Sequence, residues 1–82
     1  MDENELRWRE RTSVDPLVCH GKPCIRGTRV MASVVLDNIA AGEAVASIAQ
    51  AYHVDAEDVR ACMAYAAALA KGSFLPITPE VA

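Results

Sequence analysis

The chain has 82 residues, 52% of them apolar, and a formal net charge of −3. That length allows one domain with a modest core, of a size often completed by a metal, a disulfide or a second subunit. With one Trp, one Phe and two Tyr the core must be aliphatic and alanine-rich, and the net acidity speaks against a generic polyanion binder. No apolar run reaches membrane-spanning length, and the start Met1-Asp2-Glu3-Asn4-Glu5 is the opposite of a signal peptide, so a cytoplasmic chain without membrane contact is expected. Three cysteines, an odd count, fit a reducing compartment better than a disulfide framework.

Residues 1–11 are charged and lack an apolar period, which predicts a flexible, at most weakly helical extension. Trp8 is expected to fold back onto the small core. Residues 12–71 read as the folded domain and residues 72–82 as a tail. From 12 to 30 the chain alternates short extended pieces (Val14, Leu17-Val18-Cys19, Cys24-Ile25, Val30-Met31) with the breakers Asp15-Pro16, His20-Gly21 and Arg26-Gly27. Two or three very short strands follow from this pattern. Such a sheet is barely stable alone, and pairing with the same arm of a second subunit would complete it.

Within this arm, residues 21–29 hold two glycines, a proline and three cations. Glycine reaches positive φ at no steric cost and proline presets a turn, so the local geometry is fixed by sequence. Charge is also concentrated here. Residues 7–29 carry six cations (Arg7, Arg9, Arg11, Lys22, Arg26, Arg29) against Glu10 and Asp15, whereas residues 30–82 carry Arg60 and Lys71 against six anions.

The remainder predicts three helices. The first begins near Ser33, with Val35, Leu36 and Ile39 as its apolar stripe and Gly42 as its cap. The second places Val45, Ile48, Ala49 and Tyr52 at i, i+3, i+4, i+7 spacing. The third spans residues 56–70 behind the N-cap Asp55, with Asp58 completing a capping-box pattern. Its residues Val59, Cys62, Met63, Ala66, Leu69 and Ala70 make one face. Ala61, Ala64 and Ala68, flanked by Tyr65, make a second face of small residues that could pair two subunits or simply be a solvated helical surface. In the tail, prolines forbid a helix, and Phe74, Leu75 and Ile77 are apolar enough to engage a partner.

The fold class is therefore mainly α: a three-helix, helix-turn-helix domain with a short N-terminal β arm. The second helix of the motif starts with Asp55, Glu57 and Asp58, which face phosphates unfavourably, so any DNA contact is assigned to the arm. Lys22, Arg26, Thr28 and Arg29, with Arg11, are the candidate DNA- or anion-binding residues, since guanidinium forks and glycine-exposed backbone suit phosphate. The competing reading is structural, with Arg26 or Arg29 paired to Asp15, Asp37 or another subunit's carboxylate. Cys19, His20 and Cys24 lack a fourth zinc ligand beside them, so no metal or other cofactor is expected. Cys19 next to His20 does not by sequence adjacency make a nucleophile and base, and no catalytic residue is assigned.

Val14-Asp15-Pro16 followed by Cys19-His20-Gly21-Lys22-Pro23-Cys24-Ile25-Arg26-Gly27-Thr28-Arg29-Val30 resembles the signature of domain-of-unknown-function family 433. Leu36, Ala41-Gly42-Glu43, Ile48, Tyr52 and Ala64-Tyr65-Ala66 fit its helical part, and His20 stands where a second glycine is common. The resemblance covers residues 12–70. It implies a homeodomain-like fold, a dimer, and an antitoxin of a type II toxin–antitoxin pair that binds a PIN-domain ribonuclease and represses its own operon. On that plan the arm residues above contact operator DNA, Ala61, Ala64, Tyr65 and Ala68 join the dimer, and Phe74, Leu75 and Ile77 meet the toxin. The alternative is a dimeric protein-interaction module that never touches DNA.

Overall fold

The computed structural model describes residues 8–72. Phe74, Leu75 and Ile77 lie outside them. The described chain is mainly helical, with a small two-stranded antiparallel sheet near its N-terminal end. Residues 8–11 are helical and lead into β1 (Thr12–Ser13). A left-handed turn over Cys19–Gly21 follows, then β2 (Cys24–Ile25) and the helices α1 (Ala32–Ala40), α2 (Val45–Tyr52) and α3 (Ala56–Lys71).

Strand pairing is minimal: Thr12 opposes Ile25 and Ser13 opposes Cys24, with one further bridge from Cys24 to Met31. The expected extended piece Leu17-Val18-Cys19 is not a strand. Asp15 explains why, because its carboxylate accepts the Leu17 N–H at 2.9 Å and its carbonyl accepts the Val18 N–H at 2.9 Å. An aspartate that binds the backbone two residues on folds the chain into a turn and removes those donors from any ladder.

The helical boundaries follow from the caps. Gly42, at φ 94°, ends α1 in a Schellman arrangement in which Glu43 N–H reaches the Asn38 carbonyl at 3.0 Å and Gly42 N–H reaches Ile39 at 2.9 Å. The end of α2 repeats this pattern with Val54 N–H on the Ala49 carbonyl, but the left-handed position is held by His53, at φ 57°. At the head of α3, the Asp58 carboxylate accepts the Asp55 N–H at 3.0 Å, the returning bond of the capping box that the sequence implies.

All three helices face one small core of Ile25, Val35, Ile48, Val59 and Cys62, each 2% exposed or less. Burying an aliphatic side chain fully stabilises by roughly 1.5–3 kcal/mol, so a core of so few residues leaves little margin. The Asn38 side chain ties α1 to α2, donating to the Tyr52 hydroxyl at 3.1 Å and to the Val34 carbonyl at 2.9 Å. α3 is covered on two sides, by α1 and α2 and by the N-terminal arm. Its solvent side carries Arg60, Met63 and Ala67.

Left-handed backbone costs an L-residue roughly 1–2 kcal/mol that glycine avoids, partly offset by glycine's freer unfolded state. His53→Gly should therefore raise stability by about 0.5–1 kcal/mol, read as a higher urea midpoint with an unchanged m-value.

Candidate functional site

The arm is organised around one arginine. An α-helix leaves its last four carbonyls without internal partners, and residues 8–11 present such a set. The Thr12 hydroxyl donates to the Trp8 carbonyl at 2.8 Å. Arg26 takes the rest: Nη2 donates to Arg9 at 3.3 Å, Nε to Glu10 at 2.7 Å, and its backbone N–H to Arg11 at 2.8 Å. Nη2 also donates to the Thr12 carbonyl at 2.8 Å. Arg26 is thus engaged within its own chain by backbone carbonyls, and pairs with neither Asp15 nor Asp37.

The β-turn that presents Arg26 is equally closed. Thr28 N–H returns to the Ile25 carbonyl at 3.0 Å, with Gly27 at φ 79°, the geometry of a type II turn. The Thr28 hydroxyl donates to the Ile25 carbonyl and accepts the Val30 N–H, so both of its functions serve the loop. Arg11 is engaged as well. Its Nη1 donates to Asp58 at 2.9 Å and lies 3.9 Å from Asp55, and the hydrogen bond to Asp58 raises its already high pKa. Among the candidate cations, this leaves Lys22 and Arg29 exposed, with no ion pair among the described residues.

Between residues 13–18 and the turn 26–29 runs an open cleft of about 690 Å³, walled by Ser13, Val14, Asp15, Pro16 and Val18 and by Arg26, Gly27, Thr28 and Arg29. Beside it, Val14 is 64% and Leu17 89% exposed, although both are large aliphatic side chains. Exposed apolar side chains and the exposed Arg29 thus flank one cleft of the arm. Sequence reasoning put the cations there but read Leu17 as part of a strand. The signal that could have found it is the Asp15-Pro16 pair, which turns the next residue outward.

The expected dimer residues separate. Ala61 is 5% exposed, because residues 8–12 lie on that side of α3, so it is closed off within its own chain. Tyr65 stacks edge-on against Trp8 with ring centroids 5.5 Å apart and packs on the core. Ala64 and Ala68 remain half-buried. The small-residue face of α3 is thus met, at least at its start, by the arm of the same chain, with Trp8 folding back as the sequence suggests. Arg9 lies over the other face of this contact, its guanidinium 4.9 Å from the Trp8 ring centre.

All three cysteines are reduced, and Cys24 and Cys62 are buried. Burial pushes both thiols from 9.0 up to about 11, with Cys19 adding to the rise at Cys24 and Asp58 to that at Cys62. Among the described residues no cluster of three or more potential ligands could hold a metal ion. None of their helices is long and apolar enough to cross a membrane.

A family model described as "Protein of unknown function (DUF433)" matches residues 13–66, which span the arm and most of the three helices. No curated protein and no solved structure matches the chain.

Two outcomes follow from this geometry. Hydrogen bonds from a charged donor contribute about 1.5–3 kcal/mol when buried and less when exposed, so Arg26→Ala should destabilise by about 1–2 kcal/mol. The fluorescence of Trp8 should shift to the red in that variant, and Arg26→Lys should not rescue it, because an ammonium group cannot span several carbonyls as a planar fork does. The thiols set a pH dependence: each folded pKa lies above its unfolded value of 9.0, so their contribution is complete below pH 9.0 and is lost as pH rises through about 11. Urea midpoints should fall across that window, and less steeply in Cys62→Ala.

Proposed function

We propose, from the premise that the chain belongs to the DUF433 family, that it acts as an antitoxin-like binding module rather than an enzyme. The observation that carries this reading is the exposure of Val14, at 64%, and Leu17, at 89%, on the arm that also carries the exposed Lys22 and Arg29. An aliphatic side chain 89% exposed next to an open cleft is an element of a contact surface, since burying it against a partner gains what leaving it in water forfeits. The partner implied by the family resemblance is a ribonuclease of the PIN-domain kind, neutralised by direct binding. Arm and tail, the latter with Phe74, Leu75 and Ile77, are the segments assigned to it.

Operator DNA is a second partner, favoured by a separate observation. The start of α3 holds Asp55, Glu57 and Asp58, with Arg11 and Arg60 engaged by these same carboxylates, so this end of the helix offers phosphates nothing. On the described part of the arm, Lys22 and Arg29 are the cations left to meet a phosphate backbone. Two such cations per subunit give weak binding, and a homodimer doubles them, consistent with a regulator acting on a paired half-site. The exposed face of α3 around Met63, Ala64 and Ala67 is the proposed seam between subunits, in place of one that includes Ala61.

The test is co-expression with a PIN-type ribonuclease of the source genome. Leu17→Asp should abolish co-purification and growth rescue while leaving the thermal transition of the free protein unchanged. An intact complex in that variant would remove the arm from the toxin interface. For DNA, Lys22→Ala with Arg29→Ala should lower the slope of log K against log salt by about 0.9 for each phosphate no longer neutralised. An unchanged slope would assign the two cations to protein binding alone.

A further inference from the structure

Cys19, His20 and Gly21 all have positive φ, at 51°, 57° and 79°. Three left-handed residues in succession are rare, because two of them carry a Cβ and each such residue costs roughly 1–2 kcal/mol. The turn is held by Gly21 N–H on the Val18 carbonyl and Lys22 N–H on the Cys19 carbonyl, both at 3.1 Å. It is also held by a thiol. Cys19 Sγ donates to the Arg29 carbonyl at 3.3 Å. Strain kept in place by a few weak bonds marks a segment able to rearrange when one of them is broken.

A second thiol stands beside the first. Cys24 bridges to Met31, two residues from Arg29, which brings it to the same strip of backbone that the Cys19 thiol touches. Its Sγ donates to the Lys22 carbonyl at 3.4 Å, inside the loop that Cys19 opens. Cys19 is close enough to add to the upward shift of the Cys24 thiol. They differ in access: Cys19 is partly exposed, whereas Cys24 is 1% exposed. An accessible sulfur backed by a buried one is the arrangement of an attacked cysteine and its resolving partner. Cys62 is fully buried on α3 and is not positioned to be attacked first.

We propose that Cys19 and Cys24 form an oxidative modification site, at which a peroxide closes an intramolecular disulfide across the strained turn. In the first step the Cys19 thiolate attacks the peroxide, breaking its O–O bond to give a sulfenic acid and hydroxide. In the second, the Cys24 sulfur attacks that sulfenic sulfur, the S–S bond forms and hydroxide leaves. The balance is two thiols and one hydrogen peroxide to one disulfide and two waters. The high pKa of Cys24 makes the second step faster as pH rises. Once formed, the bond removes both S–H donors, so the Arg29 and Lys22 carbonyls lose their thiol partners.

The consequence for binding rests on the reading proposed above. Lys22 lies between the two cysteines, and Arg29 is the residue whose carbonyl anchors the Cys19 thiol. Closing the disulfide therefore moves the two exposed cations of the arm. Oxidation regulates the same edge that meets DNA.

The experiment treats the full chain with equimolar hydrogen peroxide, alkylates remaining thiols and maps tryptic peptides by mass. The peptide covering residues 12–26 holds Cys19 and Cys24 but not Cys62. It should emerge lighter by two hydrogens and unalkylated, with both changes reversed by dithiothreitol, while Cys62 is alkylated once the peptide is denatured. Cys19→Ser, which keeps a donor for the Arg29 carbonyl, should abolish the change and leave Cys24 alkylated. Two added oxygens on Cys19 with Cys24 still alkylated, or a bond to Cys62, would overturn the site. Duplex DNA should bind about tenfold more weakly to the oxidised form, with recovery on reduction, as displacing two cations from the phosphates requires. Equal binding by both forms would overturn the coupling to the arm. Absence of binding by either form, with the disulfide present, would instead count against the DNA reading and leave the modification site established.

Discussion

The structure depends on a need to satisfy carbonyls. A helical segment at residues 8–11 that ends against a two-residue strand exposes more acceptors than so short a sheet can pair. Arg26 meets that need from across the sheet, joining the backbone of the extension to the turn that follows β2. A guanidinium suits the task because its donors are fixed in a plane and diverge towards several acceptors at once. Without it, Thr12 and the Arg26 amide alone would hold the junction. Trp8, whose ring rests on Tyr65, would then lose the segment that carries it.

Asp58 does for the helices what Arg26 does for the arm. One of its oxygens takes Arg11 and the other takes the Asp55 N–H, so a single carboxylate both starts α3 and docks the extension on it. The arm and the third helix thereby become one unit. This matters in a chain whose core consists of a handful of aliphatic side chains and two buried cysteines. Covering Ala61 with the arm adds apolar contact that α1 and α2 cannot supply. The same need for extra burial that suggests a second subunit is met, in part, inside one chain.

The helices were legible because their signals are local. Gly42 as a cap, the spacing from Val45 to Tyr52, and Asp55 with Asp58 each fix a boundary through neighbours in sequence, and each is found where its pattern lies. His53 shows the limit, since a left-handed terminus held by a histidine leaves no glycine to read. The arm was legible in outline only. Its turns are written in glycine and proline, yet the partners of Arg26 sit 14 to 17 residues away in carbonyls, and any residue type would supply those. Charge alone could not tell that Arg26 and Arg11 are bonded within the chain while Lys22 and Arg29 have no ion pair among the described residues. Leu17 was misread for a related reason: an aliphatic pair beside a cysteine suggests a strand until Asp15 is seen to hold the turn.

The residues 21–29 that carry the family resemblance are therefore not one site but two superposed sets. Gly27, Thr28 and Arg26 build the turn and fasten it, and a substitution there acts first on the fold. Lys22 and Arg29 contribute no bond of their own side chains to that construction among the described residues. Exposed charge without a structural partner is free to serve another molecule, and so is the exposed aliphatic surface at Val14 and Leu17. The distinction also orders the electrostatics. Carboxylates on α3 pair with Arg11 and Arg60, whereas Lys22 and Arg29 on the arm have no such partner among the described residues. A chain with a net charge of −3 can thus present exposed cations on its arm, because Arg9, Arg11, Arg26 and Arg60 are held by an aromatic ring, carboxylates or carbonyls.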